Sequence, residues 1–303
     1  MSWRCAAPLP EPRCLAAAVA LADGDAILLG GTGSPMPAPV LRYVATEDRW
    51  RAAGELLKPR GFHQASPLAD GRILVTGGIG EPVATDDDDN RALAEVELYD
   101  PTTERSVVVD SMHSRRAEHT ATVLHDGRVL VTGGADFVDE RGSFMSTTAS
   151  VEVYSPGPGS WTVLSSLARA RARHAAVEVP GGEVVVIGGW ATEVPQGDSS
   201  QPPALELYDP VAGRSLSTLL PGVAWDAPGA ALLADGRVAV LASTATSAET
   251  GLEVFDPRTD SLSKVATLVH GRSGDAPRAL VLTGGALLVV GGGAEPEVIG
   301  PVP

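Results

Sequence analysis

Three arginine–histidine pairs recur at one spacing in this chain: Arg60 with His63, Arg116 with His119, and Arg171 with His174. A guanidinium is a permanently charged fork that matches carboxylate and phosphate, and an imidazole titrates near neutrality. Together they are suited to hold an anion and to move a proton beside it. Arg13 repeats the arginine but has Ala16 at the histidine place, and two later copies carry Trp225 with Pro228 and Gly274 with Pro277. Arg13, Arg60, Arg116, Arg171 and Trp225 are therefore the candidate ligand-binding set. If the chain is an enzyme, His63, His119, His174, Asp226 and Asp275 are its candidate proton-transfer groups. A third reading is purely structural, with each pair capping the entry to a strand and satisfying backbone carbonyls.

The three histidines come from separate repeats, and no carboxylate stands at a matching spacing, so no metal is expected. No cofactor is expected either. The acidic run Asp86–Asp89 lacks the spacing and the glycine of a calcium-binding loop and reads as a solvated loop.

The elements that must position these residues are visible as a repeated sentence. ADGDAILLGG ends at Gly31, ADGRILVTGG at Gly78, HDGRVLVTGG at Gly134 and PGGEVVVIGG at Gly189. ADGRVAVLAS and TGGALLVVGG complete the set at Ser243 and Gly292. In each copy a turn dipeptide precedes a run of apolar, β-branched residues, which reads as a two-residue hairpin feeding a strand covered on both faces. A second shared element follows downstream: VELYDPTTERS at 96–106, VEVYSPGPGSW at 151–161 and LELYDPVAGRS at 205–215. It reads as a strand, an Asp-Pro or Ser-Pro turn and another strand. Each repeat thus supplies four strands, and the Arg-x-x-His pair stands at the entry to the first. The glycine pairs recur at 47, 56, 55, 54 and 49 residues, a period that indicates one ring of blades. The expected fold is all-β, a six-bladed propeller of four antiparallel strands per blade, forming a single domain over residues 1–303.

The repeat elements resemble those of kelch propellers, and the resemblance covers essentially the whole chain. It is carried by the glycine pairs, by Tyr43, Tyr99, Tyr154 and Tyr208 with Phe255 in the same place, and by Trp3, Trp50 and Trp161. Ala242-Ser243 in the fifth copy, and Ser106 and Ser215 at tryptophan positions, depart from the pattern. The resemblance implies that the first strand of each blade is innermost, so that the arginines ring a channel mouth beside the loops 32–39, 79–94, 135–150, 190–204 and 244–251. Irregular loops on a rigid scaffold commonly carry binding residues. The implied function is recognition of an acidic peptide or a small anionic molecule at that mouth. The alternative is an isomerase- or lyase-type enzyme acting on a small anionic substrate there. The copper-radical chemistry of related propellers is not expected, because all four tyrosines are committed to the repeated third-strand position.

A net charge of −15 argues against a nucleic-acid partner. No apolar run approaches the roughly 20 residues of a membrane span. With two cysteines, Cys5 and Cys14, there is no disulfide framework, and a cytoplasmic monomer with reduced thiols is expected. The chain starts with an element like a fourth strand and finishes with one like a third, so the N-terminal strand should complete the last blade. Deleting residues 1–9 is expected to lower the melting temperature; an unchanged melting curve would place the closure elsewhere.

Overall fold

A computed structural model describes residues 7–31, 39–80, 92–138, 144–192, 205–219, 225, 228–243, 250–268, 278–281, 286–290 and 297–300. The fold is all-β, a six-bladed β-propeller. Among the described residues there is no helix, and none long and apolar enough to cross a membrane. Asp86–Asp89, the strand expected before residue 7, and Cys5 lie outside the described residues. Cys14 is exposed.

Six antiparallel sheets follow one another along the chain. The first comprises Ala17–Ala20, Ala26–Leu29, Leu41–Val44 and Arg49–Ala52, and the second Gln64–Pro67, Ile73–Thr76, Val96–Asp100 and Arg105–Val109. The third holds Thr120–Val123, Val129–Thr132, Val151–Ser155 and Ser160–Leu164, and the fourth Ala175–Glu178, Val184–Ile187, Leu205–Asp209 and Arg214–Leu219. Gly229–Leu232, Val238–Ser243, Thr250–Asp256 and Ser261–Thr267 form the fifth. Arg278–Val281, Leu287–Val290 and Glu297–Ile299 form the described part of the sixth. Within each sheet the strands pair in chain order, so the fourth strand is an edge. One expected loop carries structure of its own: Ala135–Val138 and Phe144–Thr147 pair as a hairpin. The β-branched and aromatic residues of the two segments, Phe137, Val138, Phe144 and Thr147, suit such pairing.

By contact density the chain divides into two compact units. One is Met1–Val129 with Ala135–Met145 and Tyr154–Thr162; the other is Leu130–Gly134 with Ser146–Val153 and Val163–Pro303. In the first unit Val19, Ile27, Leu29, Ile73, Val75 and Tyr99 make a common core for the first two sheets. In the second, Val185, Ile187, Val238, Val240 and Phe255 do so for the fourth and fifth sheets. Ile73–Thr76 and Val184–Ile187 are buried at every position, which explains why these strands read as continuous apolar runs.

The turns differ from the two-residue hairpin expected at Asp-Gly. Gly71 has φ 87°, but Ala69 and Asp70 have no positive φ. Gly71 donates its N–H to Leu68 O at 3.0 Å, while Leu68 donates to Arg72 O at 2.8 Å. This is a type I turn closed by a left-handed glycine, a one-residue bulge in place of a type I′ turn. Asp70 stabilises it by accepting the Arg72 N–H at 3.0 Å, and Asp126 and Asp235 do the same for Arg128 and Arg237. The aspartate is selected as a side-chain acceptor for the turn, which removes the need for positive φ at its own position.

Consecutive sheets are also tied at their outer strands. Tyr99 donates its hydroxyl to Ala53 O at 2.6 Å in a buried setting, and burial pushes its pKa up to about 12. In the second unit Tyr208 donates to Ser165 O at 2.7 Å. Tyr43 instead bonds Asp48 within its own sheet, at 2.5 Å. Tyr99→Phe leaves a buried carbonyl without its donor and should cost about 1–3 kcal/mol by denaturant unfolding. Tyr208→Phe and Tyr43→Phe, with partly solvated partners, should cost less. Equal losses at all three tyrosines would contradict this account.

Candidate functional site

The Arg-x-x-His stretch enters each of the first four sheets with one residue in the left-handed region. These residues are Leu15 (φ 58°), Phe62 (φ 56°), Glu118 (φ 53°) and Arg173 (φ 53°). In the first unit they are linked in series, since Phe62 N–H donates to Leu15 O at 3.2 Å and Glu118 N–H to Phe62 O at 3.0 Å.

The flanking arginines do not face solvent, contrary to expectation. Arg60, Arg116 and Arg171 are each 0% exposed. Arg60 donates from Nη1 to Gly77 O at 2.8 Å and Glu95 O at 3.0 Å, and from Nη2 to Glu97 Oε1 at 2.7 Å. Glu97 is further held by the N–H groups of Leu57 and Lys58, at 2.7 and 3.0 Å. Arg171 repeats this arrangement, with Nη1 on Gly188 O at 2.8 Å and Nη2 on Glu206 Oε2 at 3.0 Å. The Ala168 N–H closes on the other Glu206 oxygen at 2.6 Å. Burial lowers the Arg60 pKa and pushes that of Arg171 down to about 10, with Glu97 and Glu206 opposing the shift. Arg13 is the partial copy. Its Nη1 reaches Pro39 O at 2.7 Å and Gly30 O at 3.3 Å, and Leu41 stands where Glu97 and Glu206 stand in their sheets.

The arginine backbone is as important as its head group. Gly31 donates its N–H to Arg60 O at 2.9 Å, Gly78 to Arg116 O at 2.9 Å and Gly134 to Arg171 O at 2.8 Å. Each bond joins the second glycine of one sheet to the entry of the next. The first glycine of the pair makes room for that entry. A Cβ on Gly30 would lie 2.5 Å from Arg60 O and 2.7 Å from His63 Cε1, and one on Gly133 2.4 Å from Arg171 O and 2.7 Å from His174 Cε1. The glycine pair and the Arg-x-x-His stretch are two halves of one joint between successive sheets.

His63, His119 and His174 are buried in that joint, at 4%, 1% and 6% exposure. His119 Nε2 is 2.8 Å from Thr76 Oγ1, and His174 Nε2 is 2.9 Å from Thr132 Oγ1. His63 meets Leu29 at the threonine place, and neither of its buried ring nitrogens has a hydrogen-bond partner. Burial, reinforced by the Arg60 charge, pushes its pKa down to about 3.

Trp225, the fifth member of the candidate ligand-binding set, is buried as well. It is 3% exposed and packed among Val179, Val185, Ile187, Val238 and Val240. It keeps the arginine's backbone role, because Gly189 donates its N–H to Trp225 O at 2.8 Å. Asp226 and Asp275 lie outside the described residues. Among the described residues no group of three histidine, cysteine or acidic side chains is placed to hold a metal ion.

Two sets of residues escaped the sequence reading although a signal for each was present. Glu97, Glu152 and Glu206, all buried, each stand two residues before a repeat tyrosine. Thr76 and Thr132 directly precede a glycine pair, in just the two sheets whose successors carry His119 and His174.

No family model and no curated protein matches this chain in sequence. Among solved structures it is similar to the one described as the structure of YjhT, with a TM-score of 0.64 and 17% identity over 96% of this chain and 94% of that one. The likeness is one of fold.

Arg60→Ala strands a buried carboxylate and two carbonyls, and Arg171→Ala a buried carboxylate and a carbonyl, so each should lower stability by about 3–5 kcal/mol. Arg13→Ala, which strands no carboxylate, should cost markedly less. Chemical unfolding of the three variants checks the order. Stability unchanged in Arg60→Ala would show that the joint does not depend on this pair.

Proposed function

We propose that this chain is a kelch-type recognition propeller that binds a small anionic molecule or an acidic peptide without transforming it. Support for the kelch assignment is the joint itself, which uses the glycine pair and the arginine in recurring roles. With the heads of Arg60 and Arg171 committed to carbonyls and glutamates and Arg116 fully buried, ligand contact passes to the residues between arginine and histidine.

One observation carries this reading. Among the described residues all four equivalent positions hold a non-glycine residue at positive φ, a conformation that costs such residues about 1–2 kcal/mol each and that glycine adopts without penalty. The backbone requirement is constant while the side chain changes from Leu15 to Phe62, Glu118 and Arg173. Retained strain of this kind clusters at functional sites. Arg173, exposed in the fourth sheet, is the cation this register offers to an anion. The enzyme alternative would rest on Asp226 and Asp275 in place of the buried histidines.

Arg173→Gly is the direct test. It should leave the melting temperature unchanged or raise it, since strain is relieved, while removing any stabilisation by a panel of small carboxylates, phosphates and a poly-glutamate peptide. If none of these probes stabilises the native chain, the anionic ligand is ruled out. A shift that survives in Arg173→Gly removes this residue from the site.

A further inference from the structure

The joint between the first two sheets lacks the threonine hydroxyl found at the next two, and the difference concerns a proton. His63 packs its ring against Gly30, with Cε1 2.7 Å from where a Cβ would stand. Both ring nitrogens are buried without a hydrogen bond. The carbonyls of Leu29 and Arg60 lie nearby without reaching hydrogen-bond geometry. His119 and His174, at the same register, each have a threonine hydroxyl within 2.9 Å. We propose that this joint is an acid-sensitive latch, in which protonation of His63 releases the bond from Gly31 N–H to Arg60 O and parts the first sheet from the second.

Every charged group around the ring makes a buried imidazolium unfavourable. From its own sheet His63 faces Arg60, and from the preceding sheet Arg13 lies on the Gly30 carbonyl at 3.3 Å. Glu97 is the nearest carboxylate on these elements, and its oxygens are taken by Arg60 and the Leu57 and Lys58 amides. The remaining neighbours, Leu29, Gly30 and Gly78, carry no charge. A proton on the closed joint would therefore sit beside the Arg60 guanidinium with no anion of its own.

The sign follows directly. The folded pKa of about 3 lies below the ordinary value of about 6.5. The joint is at full strength above pH 6.5, and that strength is lost as pH falls, because the open form takes up the proton first. The loss begins near pH 6.5, and its upper part, between pH 7 and pH 5, lies above the range in which the carboxylates titrate, so it is separable there from general acid unfolding.

Hydrogen exchange on the full chain tests the latch. Between pH 7 and pH 5, protection of the Gly31 and Phe62 amides should fall about 25-fold after correction for intrinsic exchange, as expected for an open form titrating at about 6.5. The Gly78 amide, bonded to Arg116 O in the next joint, should fall less. In His63→Leu the fall at Gly31 should vanish. Should that variant fail to fold, Leu29→Thr, which supplies the hydroxyl found at the other joints, should reduce it. Protection independent of pH, an equal fall at Gly78, or a fall that persists in the variants overturns the proposal.

Discussion

The structure depends on a backbone hydrogen bond between sheets, from the second glycine of one to the carbonyl that opens the next. It recurs from Gly31 to Arg60, Gly78 to Arg116, Gly134 to Arg171 and Gly189 to Trp225, at 2.8–2.9 Å. Such a bond needs two backbones in close approach, which only a residue without a Cβ allows. Everything else at the joint serves that approach. The arginine head fastens the first glycine's carbonyl, the histidine ring fills the space above its Cα, and the glutamate neutralises the arginine where water is absent. Core packing supplies most of the stability, as in any domain, but this joint sets the register between sheets.

Much of this was legible in the amino-acid sequence, because repetition turns one chain into six readings of one pattern. The strands, their order and the turns followed from the spacing of Gly71, Tyr99 and their equivalents. What misled was charge. Four arginines at one register look like an anion site when only their own spacing is considered. Their partners stand 35 and 37 residues away in sequence, beyond any local pattern, yet the V-E-L-Y, V-E-V-Y and L-E-L-Y runs were present throughout. Reading the glutamate and the arginine as one repeated pair would have placed both inside. The positive φ at Leu15, Phe62, Glu118 and Arg173 had no such signal, because those four residue types do not ordinarily adopt it.

The exceptions show what the joint tolerates. The first sheet keeps Arg13 without a glutamate, and the guanidinium there is only partly withdrawn from solvent, so carbonyls suffice as partners. The fifth sheet keeps a glutamate, Glu253, without an arginine, and Trp225 fills the space with apolar volume. Glu253 is accordingly left half-buried opposite Lys264, with its pKa raised by burial. Head group and carboxylate are thus absent separately in two repeats, while the Trp225 carbonyl keeps the bond from the preceding glycine.

A buried ion pair is a weak source of stability, since desolvation consumes much of its Coulomb energy, and Trp225 shows that apolar volume can take its place. The pair's advantage is directional. Arg60 places donors on two carbonyls and a carboxylate at once, so a slip of one residue in either strand would leave several buried polar groups without partners. A tryptophan imposes no such penalty, because apolar packing accepts small displacements. Three joints of the charged kind and one of the apolar kind therefore give the entry loops different stiffness. The strained residues proposed to meet the ligand all stand beside arginines, Leu15 beside the carbonyl-held Arg13 and Phe62, Glu118 and Arg173 beside fully buried ones. A left-handed leucine or phenylalanine persists only where its surroundings over-determine it. At Arg173, the exposed member of the four, the buried guanidinium of Arg171 is the anchor that holds the neighbouring side chain in its strained, outward position.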